Sequence, residues 1–551
     1  MKPLRIAALG GLGEFGLNMT LLEYDQSIIA VDCGSMFPGA DLLGIDLVIP
    51  DIGYLLERRN KLLGIVLTHA HEDHLGALPY ILKQISAPVF GTRLTLGLLR
   101  RKLREHALED AVDLTEIAAG RPWTIGPFTL EGIRVTHSLV DCLALAIESP
   151  VGTVIHTGDF KIDNTPMPGE MFDFQKFASY GDKGVLLLLS DSTNVEKEGY
   201  TPSERVVGGY LQEIFQRSEA RLFVSTFASN IPRIQQVLDL CGDLGRKVVV
   251  TGRSMIQNAQ VAAELGYLRL GDEILKETDR WQDLPPGKIA FLTTGSQGEP
   301  LSVLHRVALN EHRSIRIERG DTVVLSSKFI PGNEKAIANV INHLYRRGAE
   351  VHYEKVSEIH VSGHASQEEL KTMLQLTKPR YFVPVHGEYR HFVRHIRLAR
   401  SVGMPEENCF LLENGDVLQV TSDEARRTDP IASGRVFVDG HGVGDVEDVV
   451  IRDRRHLSED GMVLAIMAIH RQTGELVAGP DLVARGFMRS AEEDEVLDQA
   501  KKVVMEILKG MNREARADPS ELQEEVRKGL RRYFKKFLRR HPVVLPFIME
   551  T

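Results

Sequence analysis

Residues 62–74 read Leu62-Leu63-Gly64-Ile65-Val66-Leu67-Thr68-His69-Ala70-His71-Glu72-Asp73-His74. The apolar run reads as a buried strand, and four metal-ligand side chains crowd its C-terminal end. His69 and His71 alternate, so in an extended turn both imidazoles converge on one cation. Asp73 and His74 come one step later, where a bend aims them at a second. Imidazole with carboxylate suits Zn²⁺ and related transition metals, whereas an all-oxygen set suits Mg²⁺ or Ca²⁺. A His-rich surface loop is the plainer alternative. It fits a lone pair of histidines better than this pattern behind a β-run.

The surrounding chain has the build of a multidomain globular protein. At 551 residues it exceeds what one core supports, so about two to four domains are expected. Hydrophobic residues make up 43% and charged residues 26%, and no apolar stretch approaches a membrane span. The first residues run directly into a strand-and-glycine pattern without a signal-peptide core. Cys33, Cys142, Cys241 and Cys409 are scattered with no C-x-x-C pair, which predicts reduced thiols and a cytoplasmic protein. The net charge of −10 argues weakly against nucleic-acid binding and confines any such contact to local basic patches.

Strands alternating with glycine-rich turns over the first two hundred residues, with helical stretches such as 74–83 and 95–106 between them, predict a layered α/β architecture. From about 205 the chain changes to repeated strand–helix units, beginning with 222–225 and 231–241 and including a strand at 289–293, which predict a separate parallel-sheet domain. The earlier style resumes with 381–386. A hairpin from Met462 and a helix from Ser490 predict a small α+β domain at the C-terminal end. The expected divisions are 1–204, 205–371, 372–448, a linker at 449–461, and 462–551. The stretch Arg527–Arg540 carries eight Lys or Arg in fourteen residues, with Leu530, Phe534, Phe537 and Leu538 as the opposite stripe. A solvated basic face is the plainer reading; a surface that tracks RNA or meets another subunit is the other.

Two cations need more ligands than residues 69–74 supply. His137, Asp159 and His386 each follow an apolar strand, where open sheets present functional loops. A carboxylate is the natural bridge between two cations, and Asp159 is the residue placed for it.

This series, His69-Ala70-His71-Glu72-Asp73-His74 with His137, Asp159 and His386, resembles the metal ligands of the metallo-β-lactamase superfamily. The resemblance implies an αββα sandwich with the metals at one edge, and Asp32 as a carboxylate supporting the metal loop from behind. The long insertion between Asp159 and His386 is similar to the β-CASP branch. There Asp191, His364 and His386 match three further motifs, and His at the last marks RNA-acting members. Gly10–Gly16, Gly199–Ser203, Thr294–Pro300 and Ile330–Glu334 are similar to the ribonuclease J family over essentially the whole chain. Leu17, where a basic residue is expected, and Lys328-Phe329 depart from its pattern without touching the ligand series.

The family implies a dinuclear-zinc ribonuclease with 5′-to-3′ exonuclease and endonuclease activity on single-stranded, 5′-monophosphorylated RNA, acting in mRNA decay and RNA maturation. One Zn²⁺ would be held by His69, His71, His137 and Asp159, the other by Asp73, His74, Asp159 and His386, with Mn²⁺ or Mg²⁺ as substitutes. His364 is assigned either to protonating the leaving oxygen or to binding phosphate. Ser362, Gly363 and His364 would cradle the 5′-phosphate, with Ser229 and Asn230 completing the pocket; a helix N-cap is an equal reading for that pair. His360 belongs to the same stretch. Asp46 and Asp439 are candidates for holding one structural Ca²⁺, with ordinary turn carboxylates favoured. A homodimer or homotetramer through the C-terminal domain is also implied. The competing functions are a small-molecule hydrolase, which needs neither the insertion nor His364, a β-CASP DNA nuclease, and a non-catalytic RNA-binding scaffold, in which a lost ligand would be expected.

Overall fold

A computed structural model describes residues 2–39, 42–166, 171–275, 280–299, 302–329, 333–354, 359–440, 442–444, 448–487 and 490–551, with the side chains of 490–493 excepted. Pro300 and 330–332, within two of the stretches quoted above, lie outside the described residues.

The chain forms two compact units, one of 1–37 with 48–436 and one of 38–47 with 437–551. In the first, an eight-stranded sheet faces a six-stranded one. Leu4, Ile6, Leu22, Ile29 and Val66 from one sheet share a core with Leu130, Leu145, Val154, Leu187 and Val383 from the other. Strand Leu62–Val66 lies inside the larger sheet, parallel to Ser27–Val31 and Val89–Gly91. Strands Gly152–His156, Val185–Asp191 and Tyr381–Val385 run side by side and parallel in the smaller. The chain thus leaves the sandwich after Asp191 and returns at Tyr381 to pair beside its point of departure. This is a metallo-β-lactamase sandwich with an inserted domain, as expected.

The insertion is built on a five-stranded parallel sheet in the order Lys247–Val250, Ile289–Thr293, Leu222–Ser225, Thr322–Leu325 and Glu350–His352. Its central strands are buried throughout, as a sheet covered on both faces requires. Helices Val303–Leu309 and Glu334–Arg346 supply one covering layer.

Three elements differ from the sequence expectation. The helix predicted over 74–83 is two short ones, Glu72–Leu75 and Leu78–Ile81. Gly76 packs where a Cβ would stand 2.1 Å from Ser35 Oγ, and Pro79 opens the second helix, lacking the N–H that would continue the first. The segment 449–461, read as a linker, is helical over Asp448–Asp460. Phe537, expected in the apolar stripe, is 65% exposed, whereas Phe534 is buried in the core and Leu538 packs partly buried against it.

In the second unit, strand Met462–Ile469 pairs antiparallel with Leu476–Arg485 and parallel with Val543–Glu550. Helices Ser490–Gly510 and Pro519–Leu538 cover one face of this sheet. No helix among the described residues is long and apolar enough to cross a membrane.

Candidate metal centre

The strand Leu62–Val66 ends where its neighbours end, and Thr68–His74 turn over that edge. Asp32, the residue after strand Ser27–Val31, fixes the turn. It has positive φ (62°), and its Oδ1 accepts the Thr68 N–H at 2.8 Å. Gly34 is required here because a Cβ would lie 1.6 Å from the Asp73 carbonyl oxygen. His71 stays extended at the start of helix Glu72–Leu75, and Asp73 and His74 rise from its first turn.

Ligand atoms of His69, His71, His137 and Asp159 lie within 4.8 Å of one another, and so do those of Asp73, His74, Asp159 and His386. His71 Nδ1 is 3.0 Å from His69 Nε2 and 3.2 Å from His137 Nε2. Asp159 Oδ2 is 3.7 Å from His69 Nε2, 3.8 Å from His137 Nε2, 3.3 Å from His74 Nε2 and 3.5 Å from His386 Nε2. Asp73 Oδ2 closes the second group at 3.2 Å from His386 Nε2.

The rear nitrogens of four imidazoles are tied back. His74 Nδ1–H donates to Asp32 Oδ2 at 2.8 Å and His137 Nδ1–H to the Gly363 carbonyl at 2.7 Å. His386 Nδ1–H donates to Thr193 Oγ1 at 2.6 Å. His69 Nδ1–H donates to Thr68 Oγ1, 3.0 Å away, whose own proton goes to Asp32. Each ring is thereby held in the tautomer that turns a lone pair into the site.

These residues fit divalent transition-metal ions on three counts. Burial pushes His69 and His137 well below the ordinary imidazole pKa and lowers His71. Three unprotonated nitrogens at 3.0–3.2 Å repel unless positive charge sits among them. Burial also opposes charge on His74 and His386, yet Asp159, with Asp73 and other carboxylates beside it, outweighs this. It holds His74 well above the usual value and His386 at about 10, so this half of the site also calls for positive charge. Finally, Asp159 Oδ1 is buried without a hydrogen-bond partner, an orphan that a bridging carboxylate explains.

His364 stands beside this cluster. Its Nδ1 is 2.8 Å from Asp191 Oδ2, and its ring centroid is 4.9 Å from that of His137. Its carbonyl accepts from Thr201 Oγ1 at 2.7 Å and from Asn194 Nδ2 at 3.2 Å. Gly363 packs flat on His137, where a Cβ would approach the imidazole to 2.6 Å. Ser362 Oγ accepts the His364 N–H. His360 has a buried, unpartnered Nδ1. Burial first, then the cations Arg233, Lys328, Lys161 and Lys197, depress its pKa.

The remaining sequence-selected residues sit as follows. Asn230 caps helix Ile231–Asp243, its Oδ1 accepting the Arg233 N–H, with half-buried Ser229 beside it. Asp46 Oδ2 accepts the Gly440 N–H, and Asp439 pairs with the guanidinium of Arg454, which also donates to the Leu43 carbonyl. These two carboxylates therefore have protein partners of their own. Thr193, Asn194 and Thr201 had no assigned role in the sequence reading, nor had Asn18, whose amide donates to the Asp73 carbonyl. All four act through tertiary hydrogen bonds. The sequence signals were that Thr193 and Asn194 adjoin Asp191 and that Thr201 lies within the family-like stretch Gly199–Ser203.

Residues 12–187 match the metallo-beta-lactamase superfamily and 219–344 the ribonuclease J beta-CASP domain. Residues 348–411 match a Zn-dependent metallo-hydrolase RNA specificity domain and 449–551 the ribonuclease J C-terminal domain. Ribonuclease J2 of Bacillus subtilis (strain 168) is 40% identical over 100% of this chain and 99% of its own length. Ribonuclease J of Thermus thermophilus is 43% identical over 99% of this chain and 95% of its own. A crystal structure of a protein of unknown function from Enterococcus faecalis V583 shares the fold, with a TM-score of 0.52 and 15% identity over 76% of this chain and 100% of its own. The chain belongs to the ribonuclease J family.

Proposed function

We propose that the protein hydrolyses single-stranded RNA from a 5′-monophosphorylated end and also internally, using two Zn²⁺ ions. It is a metal-dependent ribonuclease by family. The small-molecule hydrolase and DNA nuclease readings are not favoured, since an RNA specificity domain is among the matches. The observation that carries the two-ion reading is the position of Asp159, whose Oδ2 faces His69 and His137 on one side and His74 and His386 on the other. His69, His71, His137 and Asp159 would hold one ion, and Asp73, His74, Asp159 and His386 the second. Such a pair supplies a nucleophile from water near neutral pH and offsets charge at the attacked phosphorus.

The chain's own groups divide the remaining work. His364 is aimed by its Asp191 contact and by the grip of Thr201 and Asn194 on its carbonyl. It faces the site from the motif loop and donates a proton to the leaving 3′-oxygen. Ser362, the loop backbone at Gly363–His364 and the cations around His360 supply donors and positive potential for a terminal phosphate, which supports the 5′-monophosphate preference. Ser229 is a further hydroxyl for this pocket, while Asn230 Oδ1 is committed to its cap. Asp46 and Asp439 serve as turn carboxylates. The exposed apolar residues Leu545, Phe547 and Met549, with Val477 and Val483, support a homodimer or homotetramer through the C-terminal sheet. Four free thiols are consistent with the cytoplasm.

The deciding experiment is His74→Ala on a 5′-end-labelled RNA carrying mono- or triphosphate. Wild type is expected to release mononucleotides from the monophosphate form, and the variant to lose at least a hundredfold in rate with one metal equivalent missing. Undiminished cleavage by the variant overturns the assignment.

A further inference from the structure

We propose that the exposed face of helix Pro519–Leu538 is a second contact for single-stranded RNA, binding phosphates of the RNA body beyond those held at the metal centre. The inference rests on the ribonuclease reading and adds a site to it.

Lys528, Arg531, Arg532, Lys535, Lys536 and Arg539 follow i, i+3, i+4, i+7, i+8, i+11 spacing, and all six are exposed. They form one stripe, opposite Leu522, Val526, Leu530 and Phe534, which are buried in the core of the C-terminal unit. The two halves of the helix differ. In its first half, Arg527 pairs with Glu524, and Lys528 with Glu524 and Glu525, as an ordinary solvated face does. Further on, no carboxylate among the described residues pairs with Arg531, Arg532, Lys535, Lys536 or Arg539. Arg540 turns away to donate to the Phe487 carbonyl. The helix dipole favours a cation in the last turn, but it does not account for five in close succession, which repel one another. The protein is acidic overall, at −10, so the stripe is not a sample of a generally basic surface.

A row of unpaired cations matches a polyanion. Phe537, an exposed aromatic, adjoins the stripe, with Lys536 Nζ 5.4 Å from its ring centroid. Contact is chiefly with phosphates and sensitive to salt, and one ring beside the cations lets a base stack without regard to sequence.

The test compares the full chain with R531Q/R532Q/K535Q/R539Q on 5′-monophosphorylated RNAs of 6 and 40 nucleotides that share a 5′ sequence. Glutamine keeps helix propensity near that of arginine and lysine, and a second variant, K535E/R539E, reverses charge at two positions only. Both variants should raise KM for the 40-mer, the fourfold variant at least tenfold, and leave KM and kcat for the 6-mer within twofold. Neutralising four contacts should also flatten the slope of log(kcat/KM) against log salt for the 40-mer by about 3. An unchanged KM for the 40-mer, or equal rises for both RNAs, overturns the proposal. So does a change in native mass with RNA kinetics unaltered, which makes the face a protein contact. Wild type that cleaves neither RNA overturns the ribonuclease reading itself.

Discussion

Thr193 shows how little of a metal site need be metal ligand. Its hydroxyl donates to the His386 carbonyl at 3.1 Å and accepts from His386 Nδ1 at 2.6 Å, fixing ring and backbone at a residue with positive φ (55°). Thr193→Val keeps the shape and removes both bonds. It should cost about 10- to 100-fold in metal affinity, by competition with a chelator, with the fold intact; unchanged affinity would leave Thr193 a packing residue. Among the proposed ligands, His69–His74 are legible from their local spacing, whereas His137, Asp159 and His386 rest on strand ends and the family resemblance. Among the supports, Asp32 comes from that resemblance, but the roles of Thr193 and Thr201 do not, because only the fold joins those residues to His386 and His364. A second residue-scale consequence concerns acid. His395 is fully buried against Ser192 Oγ and the Phe382 ring, and burial holds its pKa down to about 3; His156 is held at about 4. Both protonate more readily when unfolded, near 6.5, so their contribution is complete above that pH and declines as pH falls toward the folded values. The melting temperature should therefore drop between about pH 6.5 and 4, and His395→Gln should shrink that drop. An equal drop in the variant would locate the sensitivity elsewhere.

At the scale of elements, strands Leu222–Ser225, Ile289–Thr293 and Met462–Ile469 coincide with their sequence expectations, because short apolar runs bounded by turn residues have few other uses. The last strand, Val543–Glu550, carried no comparable signal. Pro546 interrupts its alternation, and only its edge position beside Met462–Ile469 makes that tolerable. Asn230 tests how far an element explains a residue that sequence left divided between two roles. With Oδ1 accepting the Arg233 N–H at 3.0 Å, Asn230→Ala should cost about 1 kcal/mol of stability in urea and leave KM for 5′-monophosphorylated RNA within about twofold. A tenfold rise in KM at unchanged stability would restore the phosphate-binding role.

At the scale of the molecule, the insertion must be held in register with the sandwich for His364 to reach the metal ligands. A buried chain of charges does this. Lys161 and Asp163, just beyond the proposed ligand Asp159, meet Glu204 at the start of the first helix of the insertion, and Glu204 pairs in turn with Arg233. Arg233 is fully buried; it also contacts Ser326 Oγ and donates to the Ile359 carbonyl at 2.8 Å, anchoring the segment that leads to His360 and His364. Glu369 clamps the other end of that segment, accepting the N–H groups of Ile162, Thr201 and Ser366. Two cations balance two carboxylates in this chain, so removing one partner is costlier than replacing the whole group. Glu204→Gln preserves volume but leaves Lys161 and Arg233 with Asp163 as the one remaining counter-charge. Stability should fall by about 3–5 kcal/mol in urea. At temperatures where the variant is folded, KM for 5′-monophosphorylated RNA should rise and kcat should fall together, because the segment that loses its anchor carries both the phosphate loop and His364. A variant with wild-type stability, or a folded one with KM and kcat both unchanged, would show that the charge chain does not hold that loop.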